Sequence, residues 1–305
     1  MATIEALPNE LLIAILAFVD PATPFRRRPC STLYVACLVS KRWRECAQPL
    51  LWQAIDTSRL QAILREAKAD GLGGYARSLD VVGQNCENEV ARVRPLLDLG
   101  NLTDVRVEMW PPGPQLAELF PLLSNLNRIV LCKVNFLSCI TPSIFSCLVS
   151  LSIHNAFARP AFLESLLQPH HVPHLRLLLL GQLYQSFNNR FFPSLDKPFL
   201  RQLDLLQLEI QDKQPQIFLS NTFTFAPLPT TRLLLRLRTA TTSKKTSRTA
   251  VATISSPWPT PLLEECAKRE TKVLWEDGAY EEDDGWRVSE EFHRWVLKKR
   301  RDEGA

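Results

Sequence analysis

Glycine is scarce in this chain, with ten residues in 305 against twenty-two prolines. That balance argues for many short elements, each stopped by proline. Long hydrophobic runs are missing too. The run Leu11–Val19 holds nine residues, well short of the roughly 20 that span a bilayer. Leu177–Leu180 is closed by Gly181 and Gln182. A secretory signal is not expected, because the start carries Glu5 rather than a basic stretch, and Pro8-Asn9-Glu10 stand where such a stretch leads into the apolar core. These absences predict a soluble intracellular protein, cytoplasmic and/or nuclear, with no membrane partner.

Charge of one sign is equally wanting. The net charge is +4 and the basic residues form no long stripe, so no nucleic acid is implied. The eight cysteines (30, 37, 46, 86, 132, 139, 147 and 266) contain no CxxC pair and no Cys/His ladder of zinc type. They are expected to be reduced and mostly buried. Catalytic signatures are absent as well. There is no GxSxG, and Gly71-Leu72-Gly73-Gly74 lacks the lysine and hydroxyl residue of a phosphate loop, so it reads as a turn. The one histidine cluster, His170-His171-x-x-His174, is framed by Pro169 and Pro173, which oppose the helix that a metal pair four residues apart needs. Residues 281–284 (Glu281, Glu282, Asp283, Asp284) read as a solvated acidic turn. No catalytic residue, metal or cofactor is expected, and the chain is not read as an enzyme.

What is present is apolar surface in an unusual place. Hydrophobic residues make up 46% of the chain, enough for one large domain or two modest ones. Pro8 suits the first position of a helix. Leu11, Leu12, Ile15, Leu16, Phe18 and Val19 then cover more than one helical stripe, and Asp20-Pro21 ends the element. After a loop containing Arg26-Arg27-Arg28, a second helix is predicted from Ser31, its N-cap, through STLYVACLVSKRWRECA. Pro49 is expected to break the chain, and LLWQAI to close the unit. One face of the first helix is expected to pack on Tyr34, Leu38 and Val39. The opposite face is left wet, a larger apolar patch than monomers usually carry. Two helices and a stub cannot enclose that much surface, which implies a helical module with a permanent partner.

The order LPxELLxxIxxF, then LVSKRWRECA, then PLLW resembles the F-box. The match is carried by Leu7, Pro8, Glu10, Leu11, Leu12, Ile15, Leu38, Val39, Ser40, Arg42, Trp43, Leu51 and Trp52. It covers about 55 of the 305 residues, and PATPFRRRPCST is longer than the compact F-box turn. The resemblance implies docking on a Skp-type linker protein and, through it, on a cullin of a ubiquitin ligase. The candidate linker-binding residues are Leu7, Pro8, Leu11, Leu12, Ile15, Leu38, Val39, Trp43 and Trp52. Of these, Leu12, Val39 and Trp52 are the ones that could serve the module's own core instead.

Residues 60–69 read as a helix ended by Asp70-Gly71. Beyond them short apolar runs recur: ARSLDV at 76, LTDVRV at 102, LNRIVL at 126, LVSLSI at 148, LRLLLL at 175 and LRQLDL at 200. The spacing falls within the roughly 20–29 residues of leucine-rich repeats. The last two apolar positions of each run are two apart, the strand period. Stretches such as NEVARVRPLLDL, PQLAELFPLLSN and PAFLESLLQ lie between them as helices or turns. The position that holds asparagine in leucine-rich repeats is occupied by Gln84, Trp110, Val134, Ala156, Leu183 and Leu208, so the resemblance is to a degenerate form. An ordinary α/β domain is the competing arrangement.

TRLLLRLR (231–238) reads as one more strand. Residues 239–261 read as a flexible insertion or as retained non-coding sequence. LLEECAKRETKVLWEDG follows as a helix and strand. A last helix is capped by Ser289, and its basic tail Lys298–Arg301 suits the helix end better than a nuclear address.

The expected fold class is therefore α/β: a small helical F-box (1–58) joined to a leucine-rich-repeat-like solenoid with parallel strands (59–238). An insertion (239–261) and a terminal repeat-like segment (262–305) complete the chain. The expected function is a substrate-recognition adaptor of a Skp–cullin–F-box ubiquitin ligase, holding an unknown target protein on the concave strand side. The alternative is a non-catalytic repeat scaffold that binds protein partners without directing ubiquitylation.

Overall fold

The computed structural model describes residues 7–19, 31–57, 71–82, 91, 94–108, 122–132, 146–154, 167–183, 202–203, 205–210, 234–240 and 272–278. The chain divides into two compact units, Met1–Asn127 and Arg128–Ala305. The expected helix at 60–69, the loop at 20–30, most inter-strand helices, residues 241–261, the acidic turn and the last helix lie outside the described residues.

The first unit opens with three helices, where two are expected from the sequence. Helix α1 spans Asn9–Val19, and its first bond runs from the Leu12 N–H to the Pro8 carbonyl at 3.1 Å, so proline sits at the cap. The stretch from Ser31 is not one helix but two, α2 (Ser31–Val39) and α3 (Lys41–Leu51). The break is Ser40, extended at φ −159° and ψ 168°, whose Oγ accepts from the Trp43 N–H at 3.3 Å. A serine oxygen that competes for a backbone amide ends one helix and starts the next. Ser40→Ala should cost about 0.5–2 kcal/mol in the first unit, measurable by chemical denaturation.

Pro49 does not break the chain as expected. It lies inside α3, near its end, where its missing N–H forfeits one bond to the preceding turn, and the Trp52 N–H still reaches the Gln48 carbonyl at 3.0 Å. The helical core is built from Leu12 and Leu16, one turn apart on α1, with Leu33, Ala36 and Cys37 of α2 and Cys46, Ala47 and Leu50 of α3. Tyr34, Leu38 and Val39 point outward instead of onto α1. The apolar residues of STLYVACLV surround the helix, so their period selects no face. The small residues Ala36 and Cys37 are the ones that pack inward.

Three parallel strands follow among the described residues of this unit: β1 (Ala54–Asp56), β2 (Ser78–Val82) and β3 (Asp104–Glu108). Their register pairs Ala54 with Ser78 and Ser78 with Asp104. Strand β1 is not anticipated from the sequence, where LLWQAI reads only as an ending. In register, Trp52, Ile55 and Thr57 take the same positions as Ala76, Leu79 and Val81, and all six are buried. A short 3-10 turn precedes β2 (Leu72–Tyr75) and another precedes β3 (Leu99–Asn101). The first follows Gly71 at φ +65°, a left-handed conformation that suits glycine, so GLGG is the expected turn.

Among its described residues the second unit holds six parallel strands: β4 (Arg128–Cys132), β5 (Ser150–His154), β6 (Leu177–Leu183), β7 (Leu205–Ile210), β8 (Leu234–Ala240) and β9 (Lys272–Gly278). Each pairs with the next in chain order. Sequential parallel pairing needs a crossover between every two strands, as a repeat architecture supplies. Strand β8 runs to Ala240, two residues into the stretch read as an insertion. The register also corrects one repeat. Leu178 and Leu180 pair with Leu206 and Leu208, so the unit read as starting at Leu200 starts at Leu203.

The asparagine ladder that the sequence lacks has a counterpart in amides at the strand entries. Asn101 Nδ2 donates to the Gly74 carbonyl (3.2 Å) and Asn125 Nδ2 to the Gly100 carbonyl (2.6 Å). In the second unit, Gln202 Nε2 donates to the Val172 carbonyl at 3.0 Å. Each stands just before the first buried anchor of its repeat (Leu102, Leu126 and Leu203) and satisfies a turn carbonyl of the preceding one.

Candidate functional site

The strand side expected to hold a target is not open. All five residues of β4 are buried, and so are the central three of β3. Ser78, Asp80 and Arg106 in the first unit, and Ser150, Ser152, Leu177 and Leu179 in the second, alternate with the hydrophobic anchors and are buried like them. Alternating positions project to opposite faces, so both faces are covered over these described strands.

The covered side carries charge in the first unit. Arg106 is 1% exposed, and its Nη1 donates to Asp80 Oδ2 at 3.0 Å across the register. Its Nη2 donates to Glu108 Oε2 at 2.6 Å on the same strand. Charge-assisted bonds of this kind answer the desolvation of a buried guanidinium. The bond to Asp80 fastens β2 to β3, and the bond to Glu108 braces the arginine on its own strand.

The apolar surface that is open lies on α1 and α2. Leu11 (52% exposed), Ile15 (42%) and Phe18 (88%) follow one another at i, i+4 and i+7, on one stripe of α1. On α2, Tyr34, Val35, Leu38 (64%) and Val39 (60%) are exposed. Of the residues singled out from the sequence, Pro8, Leu11, Ile15, Leu38 and Val39 are therefore exposed, and Leu7 and Trp43 are half-buried. Leu12 belongs wholly to the helical core, and Trp52 is buried at the first anchor of β1. Phe18, Val19, Tyr34 and Val35 join the exposed set without having been singled out. Their signal was the apolar character of both helices on every side.

Two arginines set the frame. Arg42 Nε donates to Asn9 Oδ1 at 2.8 Å, and its Nη2 donates to the Leu7 carbonyl. The start of α3 thereby holds the segment that leads into α1. Arg44 Nε donates to the Cys37 carbonyl at 3.1 Å, supplying positive charge in the last turn of α2.

This arrangement, three short helices with an apolar face beside an arginine-anchored Leu-Pro start, coincides with the family match. A family model described as F-box-like matches residues 4–58. The segment is an F-box-like domain. The F-box binds a Skp-type linker and, through it, a cullin, which makes it a non-catalytic adaptor module of a ubiquitin ligase. Here the matched residues include β1, so the F-box runs directly into the parallel strands. No curated protein matches the chain.

Elsewhere the chemistry is sparse among the described residues. His170 and His171 lie in turns with ring centroids 3.9 Å apart, and no group of three His, Cys, Asp or Glu is placed to hold a metal ion. Cys37, Cys46 and Cys132 are buried and Cys147 is exposed, and none of these four forms a disulfide. No described helix is long and apolar enough to cross a membrane.

Proposed function

We propose that this chain is the substrate-recognition subunit of a Skp–cullin–F-box ubiquitin ligase. The observation that carries the reading is the exposed apolar face of an F-box-like domain, formed by Leu11, Ile15 and Phe18 of α1 with Leu38 and Val39 of α2. Leu7, Pro8 and Trp43 border that face and complete the proposed linker contact. Leu12, in the helical core, supports it from beneath. The parallel-strand region holds a target protein, at a surface other than the covered faces of the strands. The reaction is assisted by proximity alone: the target's lysines are kept at high local concentration near the ubiquitin-charged enzyme, and no group of this chain enters the chemistry.

Removal of the chain from its cell tests the reading through protein half-lives. At least one protein should persist several-fold longer. Its turnover should return with the intact chain and not with a variant whose α1 face carries charge. Unchanged half-lives throughout, with the linker still bound, would favour a scaffold that does not direct ubiquitylation.

A further inference from the structure

The F-box helices and the first strands meet within a few residues of chain. Leu50 closes the helical core, and two residues later Trp52 both caps α3 and fills the first anchor of β1. The carbonyl of Gln53, between them, accepts two hydrogen bonds from the start of β2, from the N–H groups of Arg77 and Ser78, each at 2.9 Å. Ile55 and Thr57 are buried, and α3 also packs on the turn Leu72–Tyr75 that leads into β2. The compact unit accordingly runs to Asn127, far beyond the end of the family match at residue 58.

We infer that the three helices and strands β1–β3 open and close as one cooperative unit, with Trp52 and Ile55 as positioning residues, so that linker docking on α1 and α2 also stabilises the strands. A segment without its own boundary cannot loosen alone, because Trp52 is at once the cap of α3 and the buried first anchor of β1, and α3 packs on the turn that leads into β2. By linkage, whatever binds the folded helices and not the opened unit then protects the strands by the same factor. The bound-state half of this inference rests on the linker-receptor reading, and the free-state half does not.

Amide hydrogen exchange on the full chain tests both halves. In the free protein, Ile55→Val removes one buried methyl group from β1, touching no helix residue of the core. It should speed exchange about 2- to 12-fold in β2 and β3, and by the same factor at the slow amides of α1–α3. Acceleration confined to the strands would overturn the inference whether or not any linker binds. Addition of a Skp-type linker should slow exchange in Ser78–Val82 and Asp104–Glu108 as much as in the helices. Protection that stops at Leu51 would also overturn it. Failure of the linker to bind would count against the receptor reading, leaving the free-state comparison to decide the cooperative unit.

Discussion

Replacing Leu11 and Ile15 together with aspartate is expected to weaken binding of the Skp-type linker by at least roughly 100-fold, with the first unit still folded. Both side chains are about half exposed and neither belongs to the helical core, so the charges stay in water while the protein is free. On docking, two carboxylates would be buried against an apolar surface without partners, which costs several kcal/mol. The neighbouring position gives the contrast. Leu12 is wholly buried, so Leu12→Asp should unfold the helices outright. Titration calorimetry of the double variant, with circular dichroism to follow its helices, separates the two outcomes. Undiminished affinity would mean that another face meets the linker.

The second large effect is expected at Arg106. Arg106→Ala leaves the Asp80 carboxylate buried without its cross-strand guanidinium, and the first unit should lose about 3–5 kcal/mol. Removing all three charges together, as Asp80→Asn, Arg106→Met and Glu108→Gln, should recover much of that loss, because no uncompensated charge then remains inside. Urea unfolding of the full chain, followed by tryptophan fluorescence, measures both. A loss below about 1 kcal/mol for Arg106→Ala would place the triad in water, as an ordinary surface pair.

The strands were legible because their signal is local. In LTDVRV, LNRIVL and LRLLLL the two-residue apolar spacing survives any partner, and the register places those positions together. Strand β1 escaped because WQAID is too short to show a period and sits at the end of a recognised motif. Its identity emerges only when Ile55 pairs with Leu79. The repeat at Leu200 was misplaced by three residues for a related reason, since LRQLDLLQL offers two leucine frames and only pairing with β6 selects one.

The site was legible in kind and not in detail. Helices apolar all round announce a missing partner, yet their period cannot say which side faces inward. Leu12 and Leu11 are adjacent and chemically identical, and the first is core while the second is surface. Ser40 could be read as a cap only once its extended backbone was seen, because serine inside an apolar helix carries no mark of the break. A charged Arg106 in the middle of a strand pattern suggests an outward face, whereas the fold buries it between two carboxylates.

The most direct test of the account is coexpression of the full chain with a Skp-type linker and a cullin, followed by size-exclusion chromatography. A single complex containing all three proteins is expected, with the chain more soluble than when made alone, because the face around Leu11, Ile15 and Phe18 is then covered. A chain that elutes free of both proteins, and is equally soluble without them, would contradict it.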